Sequence, residues 1–284
     1  MGRVWPWVSI AALSVAAVRA QDSALPVLRE RAVATLRAGL ASTEFWPAMH
    51  AAEGLTKAGL GADVLAALSP RLGTETDDQR RCGVARELVR AGNQAPVAVL
   101  TAVLADRTSN GRVHAAESLF KVHRAGDRSL LQRALDEGNA ALETMAAAAL
   151  VRQGDATALA RVRARLSDAE LANRRTAAWV LGQLGGPEDE AAIRRLAETE
   201  TDPLSRSFFW NALARLRSAG ALAVVMQNLA ATDAGVRTYA AETLGVCGDI
   251  SDLPRLADLL ADPALDVRIR AAEAIVVITS RRQP

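Results

Sequence analysis

The stretch that decides the fold is VRTYAAETL, at residues 236–244, which recurs 31 residues later as VRIRAAEAI at residues 267–275. Related segments occur throughout the chain, and each has an aliphatic anchor at the equivalent position. The anchors are Leu55, Leu88, Leu119, Leu150, Leu181, Leu213, Leu244 and Ile275, at spacings of 31 to 33 residues. Such regular self-similarity is typical of a repeat architecture in which each copy forms one unit of a stack.

Each copy has the sequence pattern of a helix pair. Ala240, Leu244 and Cys247 lie at i, i+4 and i+7, which places them on one face of a helix and predicts that Cys247 is buried. Gly248-Asp249 follows, and glycine suits a helix C-cap while aspartate suits the next N-cap. A second apolar helix is predicted over residues 253–260. We therefore expect an all-α solenoid, or superhelix, of about eight antiparallel helix pairs.

The domain organisation predicted from this pattern has three parts. Residues 42–284 form the repeat solenoid, and residues 21–41 form an N-terminal capping segment in which residues 25–38 are a lone helix. The last repeat contains only its first helix. Because the ends of a stack have one neighbour instead of two, atypical terminal units are expected.

Residues 1–20 have the layout of a secretory signal peptide. Arg3 precedes an apolar stretch at residues 4–18, and Val18-Arg19-Ala20 provides small or apolar residues before a predicted cleavage site. We expect the protein to be exported to the periplasm or the extracellular space. The alternative is a membrane anchor formed by an uncleaved N-terminus.

The composition gives no drive toward nucleic acid or, after signal cleavage, toward a membrane surface. Removal of residues 1–20 lowers the number of basic residues from 34 to 32, which equals the 32 acidic residues. A strongly basic balance would favour anionic polymers or membranes. The predicted partner is therefore another protein, and neither nucleic acid nor a membrane.

Residues 42–280 resemble the short HEAT-like repeats of the phycobilisome-lyase type. The resemblance depends on the pattern Val-Arg-x-x-Ala-Ala-Glu-x-Leu and implies a ladder of arginines that ties successive repeats to acidic side chains and carbonyls. The ladder residues are Arg81, Arg112, Arg174, Arg206, Arg237 and Arg268. Ala48 and Glu143 interrupt the ladder, so repeats 1 and 4 are expected to be held less tightly.

Two histidine–glutamate pairs are candidate metal ligands. His50 and Glu53, and likewise His114 and Glu117, lie at i, i+3 on one helix face. The HEAT-fold di-iron hydroxylases use an adjacent His-Glu dipeptide, which is absent here. In a stack the two pairs are roughly 20 Å apart. We therefore predict structural histidines, no metal ligands, no catalytic residues and no cofactor.

The candidate binding residues are Trp179, Phe208, Trp210, Arg161 and Arg165. The three aromatic residues replace small or acidic residues of other copies, which indicates either a locally wider core or an anchor patch for a partner. Arg161 and Arg165 share a helix face, which indicates either a solvated surface or a site for an acidic peptide or anionic polymer.

The function predicted from the sequence is a non-enzymatic protein–protein interaction scaffold. This prediction depends on a repeat array along nearly the whole chain and on the lack of a nucleophile with a neighbouring base. The alternative is a lyase-like or metal-dependent enzyme subunit, which the repeat subtype and the histidine–glutamate pairs favour.

Overall fold

The computed structural model describes residues 25–281, so the predicted signal peptide at residues 1–20 lies outside the described residues. The described chain forms sixteen α-helices and five short 3₁₀ segments, without a β-strand. Helix α1 covers residues 25–40. The eight inner helices are α2 Phe45–Lys57, α4 Asp78–Arg90, α6 Arg112–Lys121, α8 Ala140–Arg152, α10 Leu171–Leu184, α12 Pro203–Arg215, α14 Ala234–Cys247 and α16 Leu265–Ser280.

The outer layer consists of α1 and seven further helices. These are α3 Gly61–Leu72, α5 Val97–Ala105, α7 Arg128–Ala134, α9 Leu159–Ala164, α11 Glu190–Thr199, α13 Ala221–Asn228 and α15 Leu253–Asp258. The 3₁₀ segments are Ala156–Ala158, Arg165–Ser167, Pro187–Asp189, Ile250–Asp252 and Leu259–Ala261. The predicted all-α solenoid of helix pairs is confirmed.

Side-chain caps fix where several inner helices begin. Asp77, Asn139, Asp202 and Asp233 each accept a hydrogen bond from a backbone N–H in the first turn of the helix that follows. These bonds satisfy backbone donors that have no partner within the helix. The inner helices therefore start in nearly the same register in successive repeats.

The core runs as one seam along the inner helices. All eight anchor residues, from Leu55 to Ile275, are at most 1% exposed. Each inner helix packs against the inner helix of the next repeat, and the outer helices cover the joints. The register predicted from the repeat is therefore confirmed at every anchor.

The array closes on itself. Helix α16 packs against α2, so the eight inner helices form a ring. Helix α1 lies across the joint. Arg29 Nη1 donates to the carbonyl of Val276 at 3.0 Å and to Ser280 Oγ at 2.8 Å, and the side chain of Leu36 is fully buried close to Gly54.

The role of α1 differs from the expectation of a lone cap on the first repeat. The eighth repeat has α16 as its inner helix and lacks an outer helix in sequence, and α1 occupies that place. The closure buries apolar surface at both ends of the array, which in an open stack would face water.

The arginine ladder forms at most of its predicted rungs. Arg237 Nε donates to Asp262 Oδ2 at 2.7 Å, and Arg112 Nη1 donates to Glu137 Oε2 at 2.6 Å. Arg268 Nη1 donates to the carbonyl of Asp262 at 2.6 Å. These bonds join the N-terminal ends of inner helices to neighbouring linkers and outer helices, as the family resemblance implied.

Both cysteine thiols are free. Cys82 is fully buried, and burial is the main reason that its pKa is raised to about 12. Cys247 is half-buried, contrary to the expectation of full burial, because it is the last residue of α14. Within residues 25–281 no helix is both long and apolar enough to cross a bilayer.

Candidate binding cavity

The inner helices surround a cavity of about 630 Å³, which we call the central cavity. Its volume lies within the usual range for ligand pockets. All eight inner helices contribute side chains to its wall. The cationic residues are Lys57, Arg86, Arg90, Lys121, Arg152, Arg175 and Arg270; the carboxylates are Glu53, Glu117, Glu242 and Asp266; the aromatic residues are Trp46, Trp179, Phe208 and Tyr239.

Most of the lining residues occupy three positions of the repeat. Relative to the anchor these are five before, two before and two after, which places them on one face of each inner helix. In repeat 1 they are His50, Glu53 and Lys57. The recurrence of a basic residue two positions after the anchor was visible in the sequence. The sequence did not show that these residues share a cavity, because only closure of the ring turns these helix faces toward one another.

An ion-pair network spans the joint where the ring closes. Glu53 contacts Lys57 at 2.9 Å, Arg270 at 3.2 Å and Arg90 at 3.3 Å. Arg270 also pairs with Glu273 at 2.6 Å, and Lys57 pairs with the same carboxylate. Burial alone would raise the pKa of Glu53, but Arg90, Lys57 and Arg270 outweigh it and hold that pKa well below its ordinary value. The network therefore favours the charged form of Glu53 inside the protein.

Glu117 forms a second charged contact on the cavity wall. Its carboxylate accepts from Lys121 at 2.7 Å, and only 22% of its side chain is exposed. Burial raises the pKa of Glu117, but Lys121 and Arg86 lower it further, to about 2. The ionised form of Glu117 is therefore favoured in the folded protein.

Glu117 is expected to contribute to stability at neutral pH and to lose that contribution in acid. Because the folded-state pKa lies below the unfolded one, the contribution is complete above about pH 5 and disappears as the pH falls toward 2. The shift corresponds to about 3 kcal/mol at most. Urea denaturation of Glu117→Gln between pH 7 and pH 3 should show a flatter pH dependence than the parent protein. Glu198→Gln, which changes an exposed carboxylate, should leave that dependence intact; equal slopes for all three proteins would contradict the assignment.

Both candidate metal-binding histidines line the central cavity, and each has another partner. His50 Nδ1 lies 2.7 Å from Asp266 Oδ1. The His114 ring stacks on Trp46 with the ring centroids 5.4 Å apart, and burial is the main cause of its lowered pKa. Residues 25–281 contain no group of three histidine, cysteine, aspartate or glutamate side chains arranged to hold a metal ion.

The structure brings together two of the three candidate aromatic residues. Trp179 and Phe208 both line the central cavity, where Phe208 packs on Tyr239 at 4.4 Å between ring centroids. Trp210 lies instead in a separate groove of about 930 Å³ with Arg206. Residues two apart on a helix point in nearly opposite directions, so Phe208 and Trp210 cannot share a site.

Arg161 and Arg165 do not line the central cavity. Arg165 pairs with Glu143 and donates to Asp168 at 2.8 Å, while Arg161 pairs with Glu143 at 3.3 Å and with Asp136 at 2.8 Å. Glu143 occupies the ladder position at which most repeats have arginine. The charges of this rung are therefore reversed, and its ion pairs tie repeat 4 together where the sequence predicted a missing rung.

Comparison with known proteins places the chain among helical repeats. The model of the family described as HEAT repeats matches residues 128–207, which run from α7 into α12. The structure of human deoxyhypusine hydroxylase in complex with glycerol is 19% identical, with 89% of this chain and 97% of that chain covered and a TM-score of 0.41. An engineered protein is 18% identical, with 87% and 96% covered and a TM-score of 0.26. No curated protein matches the sequence.

Proposed function

We propose that this chain, of which residues 128–207 match the HEAT-repeat family, is a non-enzymatic scaffold that binds a segment of another protein in its central cavity. The fold alone does not decide this, since helical repeats have many unrelated functions. The observation that carries the proposal is the composition of the cavity wall, which contains five arginines together with Trp46, Trp179 and Tyr239. These are the residue types that dominate binding energy in protein interfaces.

The proposed partner is another exported protein, because the signal peptide predicted at residues 1–20 would place both in the periplasm or the extracellular space. A cavity of about 630 Å³ is too small for a folded domain, so the partner would contribute a short segment or loop. The rest of the partner would then rest on the rim of the ring.

The alternative proposal is an enzymatic role in the same cavity, and the contact that favours it is between His50 and Asp266. A carboxylate that holds Nδ1 leaves Nε2 of the imidazole as a base, which is a common arrangement in enzymes. The side chain of His50 is 18% exposed, so solvent reaches it. Turnover of a substrate that is abolished by His50→Gln would support this alternative.

Site-specific photocrosslinking tests the scaffold proposal. A benzophenone amino acid at Phe208 would face the central cavity, and the matched control at Gln132 would lie on the exposed surface of outer helix α7. In cells that naturally produce the protein, we expect the Phe208 position to give one discrete crosslinked partner after irradiation. The Gln132 position should give none of it.

The same experiment distinguishes the competing outcomes. Equal crosslinking from both positions would indicate nonspecific contact and contradict the cavity as the binding site. No crosslinked protein from Phe208, together with catalytic turnover by the isolated chain, would replace the scaffold with the enzymatic alternative.

A further inference from the structure

We propose that Arg152 forms a carboxylate-binding subsite in the central cavity, and that the partner docks there through an acidic residue next to an apolar one. This inference rests on the proposed function and names the chemistry of the segment that the cavity accepts. Its support comes from the pairing of charges around the ring.

In repeats 1 and 3 a basic residue two positions after the anchor pairs with an acid four residues earlier. These pairs are Glu53 with Lys57 at 2.9 Å and Glu117 with Lys121 at 2.7 Å. In repeat 4 the equivalent acid position is Ala148. Within residues 25–281 Arg152 therefore has no carboxylate at ion-pair distance.

Neutral groups hold the Arg152 guanidinium in place. Its Nη2 donates to Gln183 Oε1 at 3.2 Å, its Nη1 contacts the ring of His123, and its carbon Cζ lies 4.2 Å from the centroid of Phe120. Its Nε is buried without a hydrogen-bond partner in the described structure. Burial and the nearby Arg90 lower the pKa of Arg152, which shows that its charge is poorly compensated. An anion that arrives there meets a cation already partly stripped of water.

His123 contacts Arg152 from the turn that follows α6. Its φ of 58° is in the left-handed region, as is the φ of 63° of Arg217 at the equivalent turn of repeat 6. Burial and Arg152 lower the pKa of His123. Its neutral ring therefore accepts from the guanidinium and leaves the cationic charge of Arg152 unmatched.

Arg175 is the second cavity cation without a carboxylate at ion-pair distance in the described chain. It lies on α10, next to α8, which carries Arg152, and its Cζ is 5.2 Å from the centroid of Phe208. The other five cations of the cavity each have a carboxylate partner. Arg152 lies two residues after its anchor and Arg175 six residues before its own, so the two are roughly 12 Å apart along the cavity wall and Arg175 is not part of the Arg152 subsite. Trp179 lies closer to that subsite, because it packs on Phe120, the ring that also contacts Arg152.

The surroundings favour a carboxylate over a polyanion. Glu53, Glu117 and Glu242 also line the cavity and would repel a ligand of high charge density such as nucleic acid. A guanidinium binds a carboxylate through two parallel hydrogen bonds. Trp179 and Phe208 provide an apolar wall for the neighbouring side chain of the same segment.

Two matched peptides test the inference on the full chain. The probes are Ac-Ala-Phe-Glu-Ala-NH₂ and its neutral isostere Ac-Ala-Phe-Gln-Ala-NH₂, with binding followed by NMR titration. We expect the glutamate peptide to bind at least about tenfold more tightly, since a charge-assisted pair replaces a neutral one. Arg152→Gln should abolish this preference, whereas Arg161→Gln, outside the cavity, should preserve it.

A second variant tests the subsite without removing the Arg152 side chain. Ala148→Glu introduces the acid that repeats 1 and 3 have at this position. The new carboxylate should pair with Arg152 and lower the affinity of the glutamate peptide to that of the neutral one. Circular dichroism checks that each variant is folded. Equal affinities of the two peptides for the parent protein would overturn the subsite. Tighter binding of inorganic phosphate than of the glutamate peptide would overturn it as well. A crosslinked partner at Phe208 would in that case leave the proposed function standing.

Discussion

Leu36→Ala is expected to destabilise the protein by about 3 kcal/mol and to increase hydrogen exchange in α16, more than 220 residues away in sequence. The Leu36 side chain is fully buried, and its removal leaves a cavity between α1 and α2 at the joint of the ring. Because α1 also contacts α16 through Arg29, loosening of α1 frees both ends of the array together. Urea denaturation measures the free energy of unfolding, and hydrogen-exchange mass spectrometry shows which helices exchange faster.

Two controls separate ring closure from ordinary loss of packing. Val27→Ala changes an exposed residue of the same helix and should shift the stability by less than about 0.5 kcal/mol. Leu68→Ala removes an equally buried side chain from α3, and its increased exchange should stay near α2, α3 and α4. If Leu36→Ala left α16 protected while α1 and α2 exchanged faster, the array would be open in solution.

Arg270→Met is expected to lower the free energy of unfolding by about 3–5 kcal/mol, the usual cost of removing one partner from a buried ion pair. The Arg270 side chain is 5% exposed and lies between the carboxylates of Glu53 and Glu273. Its loss leaves these carboxylates facing one another with only Lys57 and Arg90 to compensate them. Denaturation at pH 7 measures the effect, and Arg195→Met on the exposed face of α11 is the control.

The pH dependence of Arg270→Met provides a second check. Without the arginine, the lowered pKa of Glu53 should rise, so its protonation as the pH falls toward 5 should relieve part of the repulsion. The destabilisation relative to the parent protein should therefore shrink as the pH falls from 7 to 5. Arg270→Met/Glu273→Met should recover part of the lost stability; a double variant with the summed loss of both single changes would contradict the pairing.

The sequence predicted the helix pairs, the buried anchors and most rungs of the ladder, because these features depend on contacts within one repeat or between neighbours. Ring closure could not be predicted, since it depends on the curvature summed over eight repeats. The central cavity follows from that closure. Trp179 and Phe208 were identified through their departure from the repeat. Arg152 matches basic residues at the same position of other repeats, and it becomes distinctive only when its lack of a carboxylate partner is visible.

Arg161 and Arg165 were predicted from the sequence as a candidate binding site, but the structure does not place them in the central cavity. Their clustering suggested a ligand site, but the charge of Glu143 at a ladder position already required cations nearby. A reversed rung explains them without a ligand. When an arginine cluster lies next to an interrupted repeat position, the first hypothesis to test is that the arginines pair with the acidic residue at that position.

The seating of α1 against α16 also sets an order of events for a newly made chain. Arg29 and Ser280 are 251 residues apart in sequence, so the first described helix cannot reach its final neighbour until nearly all of the chain is available. Contacts between such distant segments form late, because the intervening chain must first be ordered. The part of α1 that faces α16 thus stays uncovered during synthesis, although α1 can already pack on α2, and the docking of α16 completes the ring and the cavity.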